Sequence, residues 1–157
     1  MKARSINGKS VEEIKSALAH HLSDDFKPTL AMVFMLRELD WEGVLAFLDK
    51  QGMDVFGATT EILFTEEGIE EEGISVLLLD MPKSYYKVVL KEFEADNATK
   101  TAGQIGEIGL NTFTNPAFII SGSLRDWPGE LLMEGIVQEV GTKVNIFGGM
   151  AGDAASF

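Results

Sequence analysis

The sequence predicts one α/β domain over residues 1–157, built as a layered, mixed and mostly parallel sheet that is flanked by helices and contains one hairpin. The first observation behind this prediction is that segments with helical apolar spacing alternate with short apolar runs. The second is the run at residues 30–36, which is apolar throughout, as in a strand buried on both faces. The third is size, because 157 residues with 45% hydrophobic content are enough for one sizeable core.

The helices and strands of the first half are marked by their caps and turns. Ser10 and Glu13 form a capping box in front of a helix whose apolar residues share one face. Asp40 caps a second helix, which Gly52 ends. An acidic stretch between the last two strands of this half predicts a hairpin connection with its charges in water. The predicted strands are residues 30–36, 54–57, 61–65 and 74–79.

The second half continues the alternation of helices and strands. Residues 96–113 have helical spacing but contain glycines, each of which costs a helix about 1 kcal/mol, and close packing against a sheet would justify them. Asp126 marks the start of another helix, which Gly141 ends. Strands are predicted at residues 117–121 and 144–147, and the second of them runs into a glycine-rich turn.

Composition and charge exclude several classes of function. The chain has no cysteine, so disulfides and thiolate chemistry are excluded and the cytoplasm is the expected compartment. A net charge of -12 predicts a surface that repels nucleic acid and anionic membranes. No apolar run approaches the roughly 20 residues that span a bilayer, and no secretory signal is recognisable. The sequence therefore predicts a soluble intracellular protein with neither a nucleic-acid nor a membrane partner.

The chain carries no recognisable catalytic, cofactor or metal motif. It has no G-x-x-x-x-G-K-[ST] phosphate loop, no G-x-G-x-x-G after a strand and no G-x-S-x-G elbow. Its histidines, His20 and His21, are adjacent on a helix and point about 100° apart, so they cannot form one site. We therefore expect no catalytic residue, no metal and no cofactor. A strand-end serine, Ser121 or Ser123, leaves a hydrolase or transferase as the alternative.

Candidate ligand-binding residues lie where predicted strands end. In α/β sheets, ligands bind outside the carboxyl ends of the strands, and Asp80, Asp126 and Asp153 all follow predicted strands. Asp126 is favoured as a helix cap, whereas Asp80 and Asp153 either form turns or contact a ligand. The turn with Gly148 and Gly149 either cradles an anion or only needs positive φ angles. We expect Gly149 to need a backbone angle that a β-branched residue resists.

Two segments resemble a known family. Residues 55–62 read Val-Phe-Gly-Ala-Thr-Thr-Glu-Ile, and residues 144–153 read Val-Asn-Ile-Phe-Gly-Gly-Met-Ala-Gly-Asp. With the apolar strand at residues 30–36 and the order of the helices, they resemble the N-terminal domain of FIST proteins over nearly the whole chain. In that family a strand runs into Gly-Cys-Ser/Thr-Thr and Ala-Gly-Glu-Ile, and the domain closes with Val-Gly-Gly-Leu-Ala-Gly-Asp. This chain departs from the pattern at Ala58, which replaces the frequent cysteine, and lacks the Ala-Gly before Glu61.

The resemblance implies a small-molecule sensing domain of a signal-transduction protein, which binds amino acids or similar small acids without turnover. FIST domains normally come as an N-terminal and a C-terminal half, so the C-terminal half or a signalling output module is the expected partner and is absent from this chain. An apolar last strand without that partner leads us to expect self-association as a two-fold dimer. A pure protein-interaction module is the other non-enzymatic alternative.

The resemblance and the strand ends together give a set of candidate ligand-binding residues. The N–H and hydroxyl groups of the first turn would bind a carboxylate, and the closing glycines would line the other side with Asp153, whose carboxylate would face an ammonium group. The candidates are Gly57, Thr59, Thr60, Asp80, Gly148, Gly149 and Asp153.

Overall fold

The computed structural model describes residues 1–22, 25–65, 68–70, 72–93, 95–123 and 129–151. They fall into two compact units, of which the first comprises principally Met1–Val88 and the second principally Val89–Gly152. Both units combine helices with strands, so the predicted α/β class is confirmed. A single domain over residues 1–157 stays a prediction.

The first unit contains a four-stranded mixed sheet, two helices and a small hairpin. Its elements are β1 (Lys2–Gly8), α1 (Val11–His21), β2 (Leu30–Met35), α2 (Trp41–Lys50), β3 (Asp54–Thr59), β4 (Leu63–Thr65), β5 (Gly68–Glu70) and β6 (Ile74–Asp80). The strand order in the sheet is β1-β6-β2-β3. β2 and β3 are parallel, whereas β6 is antiparallel to both of its neighbours.

The predicted caps of the first two helices are in place. The Ser10 hydroxyl accepts a hydrogen bond from the backbone N–H of Glu13 at 3.2 Å, and the Glu13 carboxylate accepts one from the N–H of Lys9 at 2.8 Å. The Asp40 carboxylate accepts a hydrogen bond of 2.9 Å from an N–H in the first turn of α2. Gly52, with φ +83°, follows α2 in the left-handed region that favours glycine. Both helices therefore begin where the sequence predicts.

The sheet differs from the prediction in three ways. β1 is not predicted, because its polar residues become a strand only by pairing with β6. The predicted pairing of the hairpin is wrong, since β4 pairs with β5 inside the acidic stretch and not with β6. The sheet is mixed, as predicted, but its pairings are not mostly parallel, because β6 lies antiparallel between β1 and β2.

The core of the first unit lies between one face of the sheet and the two helices. Its buried residues include Ile6, Val11, Ile14, Leu18, Ala31, Val33, Met35, Val44, Leu48, Ile74, Val76 and Leu78. On the other face of the sheet, Phe34 and Leu77 are each 36% exposed. On this face of β2, Leu30 is buried and Met32 is half-buried, so the predicted burial of β2 on both faces holds at Leu30 and is wrong at Phe34. Its apolar run reflects a central position in the sheet, with one face covered more fully than the other.

A polar network joins the segment after β6 to the edge of the sheet where β3 begins. The Tyr86 hydroxyl lies 2.7 Å from the Thr29 carbonyl oxygen and 2.8 Å from Asp54 Oδ2, and its single proton is shared between these acceptors. Lys83 Nζ lies 3.1 Å from the same carboxylate oxygen. Hydrogen bonds from Tyr86 and then Lys83 hold the pKa of Asp54 below its ordinary value, whereas burial raises the pKa of Tyr86. These contacts hold the segment after β6 against the sheet of the first unit.

Tyr86→Phe is expected to lower the free energy of unfolding by about 1 kcal/mol, because it removes the donor shared by Thr29 and Asp54. The lowered pKa of Asp54 stabilises the fold above the ordinary value of 3.8, and this contribution is lost as the pH falls below it. The free energy of unfolding should therefore fall less on acidification in Tyr86→Phe than in the wild-type protein. Urea unfolding at about pH 7 and about pH 3 measures both effects. An equally steep loss in both proteins would show that Tyr86 does not set the pKa of Asp54.

The described part of the second unit contains a short 3-10 helix (Ala95–Asn97), two α-helices and two strands. The α-helices and strands are α3 (Ala98–Thr112), β7 (Phe118–Ser123), α4 (Gly129–Val140) and β8 (Ile146–Ala151). β7 and β8 are parallel, and α4 lies between them in the sequence. The predicted turn after residue 147 is wrong, because pairing with β7 carries β8 on through its glycines to Ala151. Asp126, the predicted helix start, lies outside the described residues. No described helix of either unit has the length and apolar character that a membrane span requires.

The helices α3 and α4 approach each other closely through glycines. A Cβ atom at Gly135 would lie 2.1 Å from a carbonyl oxygen of α3, and one at Gly106 would lie 3.0 Å from Glu139 Cβ. The prediction that the α3 glycines pack against a sheet is confirmed at Gly109, where a Cβ atom would lie 2.4 Å from the Phe118 ring on β7. The other α3 glycines face α4, so close packing of two helices is the main reason for them.

Candidate functional site

The described residues of the second unit form an open cleft between α4 and the paired strands β7 and β8. Its volume is about 230 Å³. Residues of both strands form its floor, and the first turns of α4 form a wall. The lining residues are Ile120, Gly122, Gly129, Leu132, Met133, Ile146, Phe147, Gly148, Gly149 and Met150.

Glycines set the dimensions of this cleft. Gly148 pairs with Ile120, has φ +140°, and a Cβ atom there would lie 1.9 Å from the Ile120 carbonyl oxygen. No side chain fits at that position, and its φ favours glycine. A Cβ atom at Gly122 would lie 2.9 Å from Leu132 Cδ1 and 3.0 Å from Met150 Sδ. A side chain at Gly122 would therefore push the ends of two flexible side chains out of their places beside the cleft.

The side chains that line the cleft are apolar. None of its described residues has a charged, hydroxyl, amide or imidazole side chain. Ile120, Leu132 and Ile146 pack against the buried core of the unit, whereas Phe147 is 62% exposed and Met133 is 38% exposed. The cleft therefore has a fixed inner wall and an adaptable rim. Such a lining binds apolar groups, and its side chains supply no acid, base or nucleophile.

The first unit contains the same close approach of two parallel strands at a glycine. Gly57 pairs with Val33, and a Cβ atom at Gly57 would lie 1.8 Å from the Val33 carbonyl oxygen. The local sequences are also alike, because residues 55–57 read Val-Phe-Gly and residues 146–148 read Ile-Phe-Gly. In both units a strand, a helix and a parallel strand follow one another. The close approach of the two strands therefore explains why residue 57 is a glycine, independently of any ligand.

Thr59 and Thr60 lie at the carboxyl end of β3. Thr60 donates its backbone N–H to the Met35 carbonyl oxygen at 2.9 Å and its hydroxyl to the Ile62 carbonyl oxygen at 3.0 Å. The hydroxyl of Thr60 therefore stabilises the turn after β3. The structure brings Gly57, Thr59 and Thr60 together at one strand end of the first unit, and their binding of a carboxylate stays a prediction.

Asp80 lies at the opposite end of the sheet from Thr59. Leu30 pairs with the first residue of β3 and with Leu79 of β6, so Asp80 lies at the same end of the sheet as the beginning of β3. Thr59 lies about five residue steps further along the strand, at about 3.3 Å a step. The Asp80 carboxylate accepts a hydrogen bond from the N–H of Lys27 at 3.1 Å. The structure does not bring Asp80 together with the threonines, because β6 is antiparallel to β2 while β3 is parallel to it.

Two of the three candidates near residue 150 line the cleft, namely Gly148 and Gly149. The expected constraint on Gly149 is wrong, since its φ is not positive and a Cβ atom there would meet nothing within 4 Å. The constrained glycine is Gly148, because its Cβ position faces the neighbouring strand. The third candidate, Asp153, lies outside the described residues.

The serine-based alternative finds few of its components in the described residues. Ser121 is exposed on β7, and Ser123 is the last residue of that strand. Both histidines, His20 and His21, belong to α1 in the first unit. In the described ranges, no group of three or more His, Asp or Glu side chains could hold a metal ion. The described groups with shifted pKa values belong to the first unit and not to the cleft; they are Asp54, Glu72, Lys83 and Tyr86.

Sequence reasoning missed the apolar residues of the cleft. Leu132 and Met133 are predicted only as part of a helix, and Phe147 only as part of a strand. Met150 is predicted in a turn. A signal was present in the run Phe-Gly-Gly-Met at residues 147–150, because two large apolar side chains that flank two glycines leave space between them.

Comparison with known protein families identifies the chain. Residues 29–157 match the family model described as FIST N domain. This chain belongs to the FIST family. FIST domains are sensory domains of signal transduction, and the resemblance carried by residues 55–62 and 144–153 is confirmed. In the two other comparisons, no curated protein and no solved structure matches this FIST domain.

Proposed function

We propose that this FIST domain senses a small molecule for a signal-transduction protein and binds it in the cleft of the second unit without converting it. The observation that carries the proposal is which segment of the sequence supplies the lining of the cleft. Five of its lining residues, from Ile146 to Met150, belong to the segment at residues 144–153 that carries the resemblance to the FIST family. In a sensory family, a cleft lined by such a segment supports a binding role.

The volume of the cleft favours a small ligand. Ligand pockets commonly measure about 300–1,000 Å³, and an engineered apolar cavity of about 150 Å³ holds benzene. The observed volume of about 230 Å³ lies between these values. We propose amino acids or similar small acids as ligands, with the apolar part of the molecule inside the cleft and its charged groups at the open rim.

The lining of the cleft supports binding without turnover. Catalysis of hydrolysis or group transfer needs a nucleophile or a general acid or base beside the substrate. The described lining residues provide no such side chain. We therefore propose a non-enzymatic domain. The cytoplasm is its proposed compartment because the chain has no cysteine. A C-terminal FIST half or an output module is its proposed partner, and a homodimer stays a prediction.

A ligand screen with a turnover control tests this function. The protein is titrated calorimetrically with the common amino acids and with small carboxylic acids, and each binding mixture is then analysed by mass spectrometry. We expect a binder that stabilises the fold by about 2.7 kcal/mol at a hundredfold excess over Kd and that is recovered unchanged. Conversion of the bound molecule, or ester hydrolysis that Ser123→Ala abolishes, would favour the hydrolase or transferase alternative. A screen without any binder would favour an interaction module.

A further inference from the structure

We infer that the cleft of the second unit accepts an aromatic ring and selects aromatic acids over small polar ones. This inference rests on the proposed function, because it names the ligand class of the same cleft. The family resemblance implies amino acids or similar small acids of any side chain, and the inference narrows this class to acids with an aromatic ring.

The apolar side chains of the lining favour an apolar group inside the cleft. A hydroxyl, amide or second carboxylate that entered the cleft would leave water without finding a side-chain partner among the described lining residues. An apolar group loses nothing by the same transfer and releases water from the surfaces of Ile120, Leu132 and Ile146. The lining therefore discriminates by the polarity of the part of the ligand that enters.

The floor and the wall of the cleft also favour a ring. Gly148 and Gly149 are exposed and place bare backbone along β8, on which a planar ring fits better than a branched chain. Met133 and Met150 bring two polarisable thioethers to the same cleft, and sulfur makes favourable contacts with aromatic rings.

The size of the cleft fits one aromatic ring. Phe147 lines the cleft and is 62% exposed, so it lies at the rim. The volume of about 230 Å³ exceeds the roughly 150 Å³ of an engineered cavity that holds benzene. One ring with a short substituent therefore fits, and the carboxylate of that substituent remains in solvent.

Paired titrations with and without a ring test the inference. Phenylacetate and phenylalanine are compared with acetate and serine by calorimetry on the full chain. Gly122→Leu fills the cleft, and Gly122→Ala does so in part, with the ends of Leu132 and Met150 as the atoms nearest its new methyl. Gln104→Leu is the control, because it adds a leucine side chain at an exposed position of α3 that is not among the lining residues.

We expect the aromatic acids to bind at least tenfold more tightly than acetate and serine. Gly122→Leu should weaken aromatic binding at least tenfold and Gly122→Ala to an intermediate degree, whereas Gln104→Leu should leave it within twofold. If acetate or serine binds as tightly as the aromatic acids, or if neither Gly122 variant weakens binding, the aromatic selectivity is wrong while small-molecule sensing stands. If none of these probes nor any acid of the wider screen binds, both the inference and the proposed function fail.

Discussion

Gly148→Val is expected to lower the free energy of unfolding by about 3 kcal/mol. A Cβ atom at this position would lie 1.9 Å from the Ile120 carbonyl oxygen, and φ is +140°. The substitution therefore forces β7 and β8 apart and strains the backbone at the same time. Chemical unfolding followed by circular dichroism measures the loss.

Gly149→Val is the matched control for this prediction. It introduces the same side chain at the next residue of β8, where a Cβ atom meets nothing within 4 Å and φ is not positive. We expect it to change the free energy of unfolding by less than about 1 kcal/mol, as for an unconstrained surface position. Equal losses in the two variants would show that the close approach of β7 to β8 at Gly148 does not exist.

Gly135→Val is expected to lower the free energy of unfolding by about 2–3 kcal/mol. A Cβ atom here would lie 2.1 Å from the Thr99 carbonyl oxygen and 2.8 Å from Ala102 Cβ, and backbone atoms cannot move aside as a side-chain end can. The helices α3 and α4 must therefore separate, which weakens the packing of the whole unit. The same unfolding experiment measures the loss.

Gly103→Ala serves as the control on the facing helix. Its Cβ atom would lie 3.4 Å from Glu139 Cγ and 3.5 Å from the Gly135 carbonyl oxygen, so the added methyl group fits with small adjustments. Alanine also favours the helix over glycine, and we expect unchanged stability or a gain of up to about 1 kcal/mol. A loss at Gly103 as large as that at Gly135 would mean that the two helices touch along a different line.

Local chemistry explains why the elements of the first half could be predicted. Ser10 and Asp40 cap their helices as predicted, because a capping side chain acts within the next three residues. β1 could not be predicted, because Lys2–Gly8 is polar and becomes a strand only by pairing with β6, a partner far away in the sequence. The pairing of β4 with β5 escaped prediction for a similar reason, since register depends on the partner and not only on the strand itself.

The residues of the candidate site were also hard to predict where they depend on how strands pair. The strand-end rule gathers carboxylates at one edge only if the strands are parallel, and it failed for Asp80 because β6 is antiparallel to its neighbours. The family motif led to Gly148 and Gly149, which line the cleft. The cleft residues on α4, Leu132 and Met133, could not be separated from ordinary core residues, because apolar spacing looks the same for a wall of a cleft and for a packed core.

Methyl resonances of methionine report most directly whether a small molecule binds in the cleft. The chain has seven methionines, and Met133 and Met150 line the cleft, whereas Met32, Met35 and Met53 belong to the first unit. With [¹³C]methyl-methionine protein, titration with phenylacetate is predicted to shift the signals of Met133 and Met150 by the ring current of the bound ligand and to leave those of Met32, Met35 and Met53 unchanged. Shifts confined to the first-unit methionines, or no shift at saturating phenylacetate, would contradict binding in this cleft.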